Sequence, residues 1–239
     1  DASSLPVAAL EYTFHNPTDA PVEAVFSFHA RNFMATETEG DTVRRLPDGF
    51  VLWQPAGEDT PADQGAFSAV ADADDTKVNA AWFRGGWFDA LTMVWKSIED
   101  GTMPEGDPPV EGKPSPGGSL YVPLRLMPGE TRTLHLRLAW HVPTTDLRLG
   151  SDPEEGCCDG ESGSCACGEG SECGTHQPWY SGVFQDIDAV NGYWRSHYDE
   201  LRAKTLTFTD AFYDTTLPPE VVEAVAANLT ILKTPTVQR

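Results

Sequence analysis

The sequence predicts a mainly β protein: a two-sheet β-sandwich followed by a long helix and the beginning of a further helical unit. Three observations lead there. Apolar and polar residues alternate with a period of two in several short runs before residue 145. Those runs are separated by loops dense in Pro, Gly and Asp, in a chain holding 19 Pro and 21 Gly. From Phe184 onward the apolar spacing changes to threes and fours. Many short strands with proline-rich turns are the pattern of two packed sheets, and the later spacing is that of a helix.

Taken in chain order, the first strand signal is LEYTFHNPTDAPVEAVFSFHARNF. Leu10, Tyr12 and Phe14 alternate with polar neighbours, Pro17 to Pro21 supply a turn, and Val22, Ala24, Phe26 and Phe28 resume the alternation. Period two on both sides of a turn predicts a β-hairpin. Short apolar runs follow at Phe50-Val51-Leu52-Trp53 and Phe67 to Val70. A second hairpin is predicted at SLYVPLRLMPGETRTLHLRLAWHVP, where Leu120, Val122, Leu124 and Leu126 form one face. Pro128-Gly129-Glu130 makes its turn, and Leu134, Leu136, Leu138 and Trp140 form the return.

Residues 146–182 break this pattern: they are Gly-, Ser- and acid-rich, carry all five cysteines, and are predicted to be a loop and linker. A connecting helix is predicted within residues 183–214, with Asp186 as N-cap. Its apolar stripe is Ile187, Val190, Trp194, His197, Leu201, Leu206 (or Thr205), Phe208 and Phe212. Gly192 lies inside this helix and weakens it by about 1 kcal/mol relative to Ala. A last helix begins within residues 215–239. Pro218-Pro219-Glu220 suits a helix start, and Val221, Val222, Val225, Ala226, Leu229 and Leu232 form a stripe that must be covered. Either it packs back on the preceding domain, or its partners lie outside this chain.

The chain has 16 basic against 37 acidic residues, a formal net charge of −21. Nucleic acid and anionic membranes need basic clusters for counterion release, and none is visible. No run of 18 apolar residues is present, so no transmembrane segment is expected. A soluble acidic protein is expected, of open compartment with the cytoplasm slightly favoured. Asn228-Leu229-Thr230 is a formal glycosylation acceptor placed within a helix, while Asn16-Pro17-Thr18 is excluded by its proline.

Three constellations are candidates for chemistry. Cys157, Cys158, Cys165, Cys167 and Cys173 cluster within one loop, with His176 nearby as a nitrogen donor. Their spacing matches no paired C-x-x-C zinc template, so a structural metal, disulfides, free thiols and a redox role all stay open. Asp72, Asp74 and Asp75 hint at a calcium loop, but the glycine and closing glutamate of the EF-hand are missing and an acidic turn is the better reading. WFRGGWFDALTMVW, Trp82 to Trp95, concentrates aromatics around Gly85-Gly86. It is expected to be core or interface rather than a sugar-stacking platform. No catalytic motif of the G-x-S-x-G, H-E-x-x-H, G-x-G-x-x-G or P-loop type occurs, no cofactor is required by the residues present, and no substrate-binding residue is identified.

From Gly117 to Arg239 the series GGSLYVPLRLMPGET, LAWHVP and HQPWYSGVFQDIDAVNGYWRSHYDELRAKTLTFTDAFYDTTLPPEVVEAVAANLTILKTPTVQR resembles glycoside hydrolase family 116. That family includes the bile-acid (non-lysosomal) β-glucosidase, or glucosylceramidase. NPTDAPVEAVFSF and FRGGWFDALTMVW fit the same family's N-terminal region. The resemblance implies an N-terminal β-sandwich (1–145), a Cys-rich linker (146–182), a connecting helix (183–214) and the first helix of a truncated (α/α)6 catalytic barrel (215–239). It implies a parent enzyme that hydrolyses β-glycosides with retention, through two carboxyl groups in the barrel. No position of this chain matches their motifs, so no catalytic residue is assigned. The expected partner is the chain's own downstream barrel. Alternatives are a stand-alone carbohydrate-binding sandwich using the Trp82–Trp95 aromatics, and a metal-binding or redox module centred on the cysteines.

Overall fold

The computed structural model describes residues 2–35, 42–58, 60–146 and 175–229. Within them the chain is mainly β, with eight strands, three α-helices and short 3-10 turns. The strands are β1 (Val7–His15), β2 (Val22–Arg31), β3 (Val43–Leu46), β4 (Gly49–Gln54), β5 (Gly65–Ala71), β6 (Lys77–Asn79), β7 (Gly117–Leu126) and β8 (Thr131–His141). The helices are α1 (Ala90–Glu99), α2 (Ile187–Tyr213) and α3 (Pro219–Ala226). Two antiparallel sheets result, one of five strands in the order β1-β8-β5-β4-β3 and one of three in the order β2-β7-β6.

The alternation seen in the sequence places side chains correctly, but the two hairpins are not hairpins. β1 pairs with β8 and β2 with β7, so both turns carry the chain from one sheet to the other. Period two fixes which side chains face inward; it does not say whether a turn folds a strand beside its predecessor or across a core. The two crossing turns lie against each other. The Asn16 amide N–H donates to the Glu130 carbonyl and the Gly129 N–H donates to the Asn16 carbonyl, both at 2.9 Å.

The inner faces of the two sheets share one apolar core. Phe50 and Leu52 of β4, Ala69 and Ala71 of β5, and Leu134 and Leu136 of β8 meet Val78 of β6 and Leu120, Val122 and Leu124 of β7. Burial of the Phe, Leu and Val side chains contributes roughly 1.5–3 kcal/mol each and orients the sheets. The core is open along the β1–β2 side, where the inward residues Leu10, Tyr12 and Val22 stay exposed.

Helix α2 covers the outer face of the five-stranded sheet. Asp186 caps it as the sequence predicts, accepting from the Ala189 N–H at 2.8 Å. Its buried stripe is Ile187, Val190, Trp194, Tyr198 and Leu201, so Tyr198 takes the place expected for His197, which instead stacks on Tyr193. Ile187 and Val190 pack with Val51 and Ala139, while Trp194, Tyr198 and Leu201 pack with Leu5, Val7 and Ala9. The helix thus crosses from β4 towards β1. Ion pairs seven residues apart follow the same path, Asp188 to Arg44, Arg195 to Asp48 and Arg202 to Glu11. After Leu201 no residue of α2 is buried, and Leu206, Phe208 and Tyr213 are exposed. In α3, Val222 is buried while Val221 and Val225 are exposed. Among the described residues no helix is long and apolar enough to cross a membrane.

Candidate functional site

The outer face of the three-stranded sheet is covered by the excursion between β6 and β7. Trp82 anchors it. This indole is 2% exposed and donates through Nε1 to the Ser119 hydroxyl at 2.8 Å. The Trp82 backbone N–H donates to Ser115 Oγ at 2.9 Å, and that hydroxyl donates to the Gly117 carbonyl at 2.7 Å. Ser119 also bonds His29 Nδ1 at 2.8 Å, and His29 Nε2 bonds Ser27 Oγ at 2.9 Å. Burial pushes the His29 imidazole down to about 4, because a charged ring here would lose its hydration.

Of the two places expected for this cluster, core or interface, the residues after Trp82 do not take the core. Trp87 is 94% exposed, Phe88 62% and Trp95 61%. Trp87 and Phe88 precede α1 and Trp95 lies within it, a helix that the aromatic content masks in the sequence. Asp89 starts this helix by accepting from the Thr92 N–H (2.9 Å) and the Thr92 hydroxyl (2.7 Å). These bonds, the hydroxyl's first, hold the Asp89 carboxyl below the usual carboxylate range. Only Val94 of α1 is buried, so Phe88, Leu91, Trp95 and Ile98, at steps of three and four, present an apolar face to solvent.

Between α1 and the end of β2 lies a cavity of about 380 Å³. Arg31, Arg84 and Lys113 line it together with Phe83, Phe88 and Leu91. Arg84 is held by backbone: its Nη1 donates to the Glu111 carbonyl at 2.9 Å and to the Lys113 carbonyl. Gly112, between them, has a φ of 80°, a left-handed turn that a side chain would resist. Asn32 also lines the cavity but is used structurally. Its amide donates to the Thr42 and Trp53 carbonyls and its oxygen accepts from Met34 and Ala35 N–H.

The other sequence candidates fall elsewhere. Cys157, Cys158, Cys165, Cys167 and Cys173 lie outside the described residues. Among the described residues no group of three or more His, Cys, Asp or Glu is placed to hold a metal. The acidic stretch after β5 is a turn with internal partners, since Asp72 accepts from the His135 N–H and ring and Asp75 pairs with Arg132. Sequence reasoning missed the three cations of the cavity. They come from three separate stretches, and no local motif links them.

A second polar cluster fastens α2 to β1. Glu11 accepts from Arg202, with Nη2 at 2.8 Å, and from the Tyr198 hydroxyl at 2.6 Å. These bonds hold the Glu11 carboxyl down at about 2, and burial together with Glu11 raises the Tyr198 phenol. All its members are satisfied by one another, so it holds the helix in place.

Residues 1–201 match a family model described as beta-glucosidase 2, glycosyl-hydrolase family 116 N-term. Among curated proteins none matches the chain. The matched region ends at Leu201, the last buried residue of α2.

Proposed function

Because the chain belongs to glycoside hydrolase family 116, as its N-terminal domain, we propose that it is the non-catalytic portion of a retaining β-glycosidase of the β-glucosidase or glucosylceramidase kind, acting in carbohydrate metabolism. Its two sheets form the sandwich, residues 146–182 the linker, α2 the connection, and α3 the first helix of an (α/α)6 catalytic domain. In such a parent one carboxylate attacks the anomeric carbon, a carboxylic acid protonates the leaving oxygen, and water then releases the sugar from the glycosyl-enzyme. Neither carboxyl group is assigned to this chain. Its residues act by holding the barrel in place and by supplying a surface at its side.

The family match over residues 1–201 carries this reading. The exposed apolar residues of the second half of α2 and of α3 support it, because Phe208, Tyr213, Val221 and Val225 need a covering partner. The test is hydrolysis of aryl β-glucosides and β-xylosides by this chain and by the same chain extended through its natural downstream sequence. Activity in the extended form alone is expected. Turnover by the short chain, or silence of both, would overturn the assignment. A stand-alone carbohydrate-binding module is the second reading, favoured by the exposure of Trp87 and Trp95.

A further inference from the structure

We propose that the cavity between α1 and the end of β2 binds a small amphipathic anion, a carboxylate or sulfate carried on an aryl or alkyl body. The charge balance is the first reason. In a chain with 37 acidic and 16 basic residues, Arg31, Arg84 and Lys113 gather around one cavity of about 380 Å³. Among the described residues none of the three has a carboxylate partner. Among the described lining residues the one carboxylate is Asp89, whose oxygens accept from Thr92, so three cations face one anion. A field of this sign in a strongly acidic protein selects an anion.

The second reason is preorganisation. The bonds from Arg84 Nη1 to the Glu111 and Lys113 carbonyls fix the guanidinium plane without neutralising its charge. Nε and Nη2 have no partner among the described residues, so one edge of the fork remains for a planar carboxylate or a sulfate oxygen pair. The walls decide the rest of the ligand. Phe83, Phe88 and Leu91 are exposed apolar surface beside the cations. A bare inorganic ion would leave them uncovered, whereas an aryl or alkyl body covers them. The site requires no catalytic domain, so it stands or falls separately from the assignment of the chain to a glycosidase.

The test is titration of this chain with 1-naphthalenesulfonate by calorimetry, beside inorganic sulfate, 1-naphthalenemethanol and octyl β-D-glucoside. One-to-one binding of the sulfonate is expected, with the three other probes much weaker. Arg84→Gln should weaken it roughly tenfold to a hundredfold, the loss of one charge-assisted contact. Leu91→Ser should weaken the sulfonate and leave sulfate unchanged. Should Arg84→Gln fail to fold, Arg31→Gln and Lys113→Gln, which remove no side-chain bond among the described residues, carry the same expectation. Sulfonate binding indifferent to all three cation variants would overturn the proposal. So would equal affinity for the naphthalene alcohol, or tighter binding of the neutral glucoside, which would make the surface a sugar platform instead.

Discussion

Asn16 is buried and uses every hydrogen-bonding position of its side chain. Its Nδ2 donates to the Ala20 and Leu126 carbonyls, each at 2.9 Å, and its Oδ1 accepts from the Thr18 N–H and hydroxyl. One amide thereby shapes the first crossing turn and fastens it to the strand leading into the second. Glu11 does comparable work at the other face, where Arg202 and Tyr198 hold its carboxyl near 2. The unfolded chain takes up that proton around 4.5, so the stabilisation from Glu11 is fully present above pH 4.5 and is lost as the pH falls towards 2. Glu11→Gln should therefore cost about 1 kcal/mol near neutrality, as a partly solvated ion pair does. In urea unfolding at a series of pH values, the gap to the unaltered chain should close below pH 4.5. A gap that stayed constant would separate the ionisation of Glu11 from the anchoring of α2.

Among the elements, α2 is the one most fully announced by sequence. Asp186 and the apolar residues at Ile187, Val190, Trp194 and Leu201 define its start and its buried face, because a regular helix ties burial to spacing. Gly192 interrupts it without structural need: a Cβ there would meet nothing within 4 Å. Gly192→Ala should stabilise the protein by about 0.5–1 kcal/mol, seen as a rise of roughly 1–4 °C in thermal midpoint. No rise would mean that an unseen neighbour occupies that space. Helix α1 was hidden because its apolar residues read as one continuous aromatic cluster, although Asp89 ahead of Thr92 was a legible cap. The crossing turns and the cation-lined cavity were not legible at all. Strand alternation reports a face rather than a partner, and Arg31, Arg84 and Lys113 meet only through the tertiary fold.

At the scale of the whole molecule, two sheets share one core, a helix braces the larger sheet, and an excursion shields the smaller one. The short strands β3 and β6 close the far side, while long β1 and β2 leave the near side open. Helix α2 is buried against this body as far as Leu201 and tied to it by the Arg202–Glu11 ion pair, and residues 203–213 run on by roughly 16 Å. A rigid rod clamped at one end transmits angle as well as distance. Each added residue turns the free end by about 100° and advances it about 1.5 Å, whereas seven added residues bring it back to within about 20° of its starting azimuth. In the extended chain, one alanine inserted after Thr207 should thus abolish hydrolysis, and seven should restore part of it. Equal activity in both would reduce the rod to a tether. On the proposed reading of α2 as the connection to a catalytic domain, that connection would be a setting of rotational phase, written in the number of residues between Leu201 and Tyr213.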